Sequence, residues 1–121
     1  MAEYLIAFND EWVPDLTDQD LREASKAISA LRAEMKAAGV LIFTGGLDDA
    51  APVFSVDASN GTPVFTDGPF IESKEHLGGF AVVDVADEEA ARLWAGKIAV
   101  ACGWPQEVRR FRVPVQPPET P

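Results

Sequence analysis

The chain opens on Tyr4-Leu5-Ile6-Ala7-Phe8, a short apolar stretch ended by Asn9-Asp10, and this pattern predicts a β-strand. An acidic segment follows, with Asp10, Glu11, Asp15, Asp18 and Asp20 ahead of the first basic residue, Arg22. Trp12 inside it must either fold back onto the core or meet a partner. Thr17 is a good N-cap with Asp20 at N3, the position of a capping-box acid. From there Leu21, Ala24, Ile28, Leu31 and Met35 recur at spacings of three and four, predicting an amphipathic helix over 18–38 that Gly39 ends. Val40 to Thr44 is a continuous apolar run, too short for a helix, and predicts a buried strand. Gly45-Gly46 after it suggests a bulge or a close backbone approach. Val53–Val56 and Pro63–Thr66 flank Asn60-Gly61 and predict a hairpin, with Pro63 at an edge or at the first position of its strand.

The second half repeats the first. Phe80–Val85 predicts a strand, and Asp87 caps a helix with Glu88 and Glu89 at its positive end. Ala91, Trp94, Ile98 and Ala101 form its apolar stripe, Gly103 ends it, and Gly96 inside it suggests close packing of helix on sheet. Glu107 to Val113 predicts the last strand, with Phe111 and Val113 on one face and Arg110 and Arg112 on the other. Pro117, Pro118 and Pro121 argue against further structure, so we expect one domain over 1–115 and a disordered tail over 116–121.

The order β-α-β, hairpin, β-α-β predicts an α+β, ferredoxin-like fold: an antiparallel sheet with two helices on one face. The opposite face then lies uncovered. Its residues are drawn from Tyr4, Ile6, Phe8, Ile42, Phe43, Phe80, Val82 and Phe111, too apolar a set to face water. Such a face implies a partner, and the simplest is a second copy of the chain, a homodimer through the sheet face.

Composition narrows the function classes. The 121 residues suit one domain of modest core. Asp and Glu number 20 against 10 Lys and Arg, a formal charge of -10 that disfavours nucleic acid. Cys102 is the only cysteine, which excludes a disulfide scaffold and a Cys-based zinc cluster, and it sits among alanines with no cation to make a thiolate. His76 is the only histidine, so no His-rich metal site is expected. No apolar run approaches the ~20 residues of a membrane span, and the acidic Met1-Ala2-Glu3-Tyr4 start is unlike a signal peptide, so a cytoplasmic protein is expected. Phosphate loops, dinucleotide fingerprints and nucleophile elbows are absent, and no cofactor is expected.

One segment stands apart from generic scaffold. Asp67-Gly68-Pro69-Phe70, then Glu72 and Lys74-Glu75, then Leu77-Gly78-Gly79 entering a strand, resembles the signature of the YCII-related, or DGPF-domain, family of the dimeric α/β-barrel superfamily. The flanking order, with Gly39-Val40-Leu41 opening the second strand, resembles it too, over roughly residues 3 to 113. The resemblance implies a ferredoxin-like monomer that dimerises through its sheet face around a cavity lined by the Asp-Gly-Pro-Phe segment. It further implies either a cofactor-independent enzyme of isomerase or lyase type, or a non-catalytic ligand-binding or regulatory module linked to an extracytoplasmic-function sigma factor. Members with a catalytic His-Asp pair carry the histidine on the first helix. Here that helix has none, so that dyad is not expected.

The candidate site residues carry competing readings. Asp67, fixed by Gly68-Pro69, serves as a base or ligand acceptor in an apolar cavity, or it caps its own turn. Glu72, Lys74 and Glu75 either rim an anionic or polar ligand, with Lys74 as the cation, or form surface ion pairs. Phe70 and Trp12 line a pocket or pack in the core. His76 is a weaker candidate base, or a partly exposed loop residue. Arg109, Arg110 and Arg112 bind an anion or pair with the abundant acids.

Overall fold

The computed structural model describes residues 1–68 and 76–113. In chain order the elements are β1 (Ala2–Asn9), a 3-10 turn (Asp10–Trp12), α1 (Asp18–Ala37), β2 (Leu41–Gly46), β3 (Phe54–Asp57), β4 (Val64–Asp67), β5 (Leu77–Val85), α2 (Glu88–Cys102) and β6 (Glu107–Arg110). Four strands make one sheet in the order β2-β5-β1-β6, and every neighbour is antiparallel. This is the α+β, ferredoxin-like arrangement expected from the β-α-β repeat. The β3–β4 hairpin pairs only with itself, as a separate two-stranded sheet. The expected tail at 116–121 lies outside the described residues.

Local chemistry explains where the helices begin and stop. The Thr17 hydroxyl accepts from the Asp20 N–H and the Asp20 carboxylate accepts from the Thr17 N–H, a complete capping box. Asp87 accepts from the Ala90 N–H at 2.8 Å, and Gly103 closes α2 at φ 92°, a left-handed position that only glycine occupies without strain. Strand alternation then sorts the sheet. Tyr4 and Ile6 on β1 and Ala81, Val83 and Val85 on β5 are buried with Leu31 and Met35 of α1 and Ala91, Trp94 and Ala95 of α2, so both helices cover one face. Lys97 ties the two helices together, paired with Glu34 and standing 4.9 Å above the Trp94 ring.

Several expectations are corrected. Tyr4, Ile6 and Phe8 belong to the helix-covered face, because they share the parity of the buried positions; Phe43, Phe80 and Val82 have the opposite parity and line the open face. There Phe43, Val82, Leu5 and Arg109 make one row across the four strands, and Gly45, Phe80, Ala7 and Glu107 the next. The run Val40–Thr44 is not a buried strand: β2 is the sheet's edge, bonded only to β5, and Ile42 and Phe43 are exposed. The register shift of β2 falls between Leu41 and Phe43 rather than at Gly45-Gly46, which pair regularly with Phe80 and Gly79 and whose backbone instead lies close against Gly79. Gly96 does not mark close helix–sheet packing, since it is exposed and a Cβ there would meet nothing within 4 Å. The helix stripe is buried only in its second half, at Leu31 and Met35, while Leu21 and Ile28 are exposed. Finally, β6 ends at Arg110 rather than Val113, although the Phe111 N–H still reaches the Glu3 carbonyl at 2.9 Å.

Candidate functional site

The site is built on two glycines. Gly78 and Gly79 lie on β5, and Gly79 is directly opposite Phe8 on β1. Without side chains they let the Phe8 ring lie flat against the strand. A Cβ on Gly79 would stand 2.9 Å from the Phe8 ring, 3.0 Å from the Gly45 carbonyl oxygen and 3.1 Å from the Gly46 Cα, too near for any of them. A Cβ on Gly78 would meet the same ring and the Asp10 carboxylate, 2.5 Å away. The Phe8 ring in turn meets Trp104 edge-on, 5.4 Å between centroids at 63°. The pair forms a floor between the sheet and the helical layer.

Over this floor lies a pocket of about 340 Å³, at the small end of the range for ligand sites. α1 contributes Ile28, Ser29, Leu31, Arg32 and Met35, α2 contributes Ile98 and Cys102, and β2 contributes Thr44, Gly45 and Gly46. The walls are mainly apolar. Of the polar groups, Thr44 donates its hydroxyl to the Phe80 carbonyl at 3.1 Å, and the Gln106 amide donates to the Cys102 sulfur at 3.2 Å. Cys102 is buried and its sulfur lies 3.0 Å from the Ile98 carbonyl, in keeping with a structural thiol. Three donors remain: the Ser29 hydroxyl, the Arg32 guanidinium and the Trp104 indole N–H, whose nitrogen is buried with no acceptor. Not one Asp or Glu lines the space.

The residues singled out from the motif lie elsewhere. Asp67 ends β4, opposite Phe54, and is exposed; it is not part of the pocket lining. The Gly68 N–H donates to the Val53 carbonyl at 2.7 Å and the Ser55 hydroxyl donates to the Gly68 carbonyl at 2.6 Å, which carries the hairpin pairing one residue past Asp67. Gly68 has φ 88°, the left-handed conformation that makes glycine necessary there. His76 is exposed, and its carbonyl receives the Asp10 N–H at 2.8 Å. Pro69, Phe70, Glu72 and Lys74 lie outside the described residues. On the same hairpin, the Ser59 hydroxyl and N–H bonded to Asp57 hold that carboxyl below its ordinary value.

Other candidates separate in space. Trp12 is half exposed and lines a second hollow of about 250 Å³ with Leu5, Ala7 and Leu77, at one end of the open sheet face. The arginine cluster is split by strand alternation, with Arg109 on the open face paired to Glu107 at 2.8 Å and Arg110 on the helix side. Among the described residues no group of three or more His, Cys, Asp or Glu could hold a metal, and no helix is long and apolar enough to cross a membrane. The pocket residues Phe8, Arg32 and Trp104 did not stand out in the sequence. The one available signal was Leu77-Gly78-Gly79: two glycines entering a strand require something bulky on the neighbouring strand.

No curated protein matches the chain. The model of the YCII-related domain matches it over residues 4–105, a span that takes in both helices, the hairpin and Asp67-Gly68 and stops just before β6. The chain therefore belongs to the YCII-related family.

Proposed function

We propose that this protein is a homodimeric small-molecule-binding protein whose ligand occupies the pocket between α1, α2 and the sheet. The observation that carries this reading is the pocket itself: an apolar space of about 340 Å³ with a few polar donors left over at its lining. The homodimer is supported by the open sheet face, where Phe43, Phe80, Val82, Leu5 and Ala7 form one contiguous apolar surface. A cytoplasmic location fits a single, unpaired cysteine.

The exposure of Asp67 supports binding over catalysis by that carboxylate. An isomerase or lyase using Asp67 as base, with Phe70, Glu72 and Lys74 as ligand contacts and His76 as a second base, would need a second copy to enclose the hairpin. A regulatory role beside an extracytoplasmic-function sigma factor rests on the family resemblance. A thermal-shift panel of small aliphatic and aromatic carboxylates decides between the two sites. A stabilising compound should keep its effect in Asp67→Asn and lose it in Ser29→Trp, where the indole fills the pocket, because a ligand stabilises only through the site it occupies. The reverse pattern would move the site to the hairpin.

A further inference from the structure

We propose that the pocket selects an anion, a small carboxylate with an apolar body, through Arg32. This rests on the reading of the pocket as the ligand site and adds the chemical class of its occupant. Four observations converge. First, the lining holds three donors with no acceptor, the Ser29 hydroxyl, the Arg32 guanidinium and the buried Trp104 indole N–H, against one unused amide acceptor, the Gln106 oxygen. A ligand that only accepts hydrogen bonds satisfies all three, and a carboxylate is such a group.

Second, no acid lines the pocket, in a chain with 20 Asp and Glu against 10 Lys and Arg. The protein's overall charge repels anions, so a cation facing an acid-free hollow is a local exception to it. Third, Arg32 has no ion-pair partner among the described residues. Its helical neighbours three and four residues away are Ile28, Ser29, Met35 and Lys36, none of them acidic. Arg32 is therefore an unpaired guanidinium at the rim of the pocket, open to an incoming anion. Fourth, the side chains of Ile6, Phe8, Met35 and Ile98 give the pocket an apolar body. The volume admits one ring or a chain of about eight carbons.

Arg32 lies on the exposed side of α1, so its replacement leaves the core intact. Isothermal titration with octanoate and with octanamide, its neutral counterpart, reads the charge directly. Octanoate should bind the wild-type protein more tightly than octanamide does. Arg32→Gln should weaken octanoate about tenfold, the scale of one charge-assisted hydrogen bond, and leave octanamide within about twofold. With octanoate the Trp104 indole proton, assigned by its absence from Trp104→Phe, should move downfield as it gains an acceptor. Equal affinity for both probes, or an octanoate affinity unchanged in Arg32→Gln, overturns the anion inference while leaving the pocket as the site. Failure of both probes to bind the wild-type protein overturns the pocket reading itself.

Discussion

Replacing Gly79 by alanine is expected to lower the melting temperature by about 10 °C, although it adds a single methyl group. The methyl would stand 2.9 Å from the Phe8 ring and, more seriously, 3.0 Å from the Gly45 carbonyl oxygen and 3.1 Å from the Gly46 Cα. A ring can rotate away. The backbone of β2 cannot, without breaking its ladder with β5, where Gly45 is bonded opposite Phe80 and Gly46 opposite Gly79. Overpacking of this kind costs about 2–3 kcal/mol. A second variant separates the two clashes: adding Phe8→Ala to Gly79→Ala should cost less than the sum of the two single changes, since the ring contact is shared. Circular dichroism melts of the three variants check both statements. A Gly79→Ala protein that melts within about 2 °C of wild type would mean that Phe8 does not lie on the glycines and that the pocket floor is built differently.

Changing Phe43 to glutamate is expected to dissociate the proposed homodimer while leaving the monomer folded. Phe43 is more than half exposed on edge strand β2, so its fold costs little to change. On the open face it stands beside Phe80, 5.9 Å between ring centroids, and in one row with Val82 and Leu5. In an isologous dimer the change places a carboxylate in that apolar patch twice, once from each copy. Loss of a buried aromatic anchor together with a desolvated charge should raise the dissociation constant about 30-fold or more. Sedimentation velocity at micromolar concentration reads this directly. A wild-type protein that sediments as a monomer would contradict the homodimer, as would a Phe43→Glu protein that dimerises as wild type does.

The helices and the order of elements along the chain were legible in the sequence because their determinants are local. Thr17 with Asp20, Asp87 before two glutamates, and Gly39 and Gly103 at the ends are short-range chemistry that acts as the residues suggest. The face on which a strand residue lies is also local in principle, but which face the helices choose is not. Tyr4 and Ile6 are no more apolar than Phe43 and Phe80, and only the pairing of β1 between β5 and β6 shows that the first pair meets the helices. The edge position of β2 follows from the order of four strands, so the run Val40–Thr44 looked more buried than it is. The pocket was least legible. Arg32 reads as one more polar position on an amphipathic helix, and Trp104 as a residue in a loop; they come together only through the packing of α1 against the sheet and the turn after α2. The Asp67 segment drew attention by its composition, yet what the described part of it does structurally is extend the open end of the hairpin, through Gly68 at φ 88°, and lay down the two glycines beneath Phe8.

Three places on the molecule compete to hold a ligand, and each carries its own methyl groups. Ile6, Ile28, Leu31, Met35 and Ile98 surround the pocket, Leu5 and Val82 lie on the open sheet face, and Val53, Val56 and Val64 belong to the hairpin that Asp67 ends. A methyl carbon–proton correlation spectrum, titrated with octanoate, reports on all three at once. The pocket account predicts that the first group shifts in a saturable manner while the hairpin methyls stay still. Shifts confined to Leu5 and Val82, or to the hairpin valines, would contradict it.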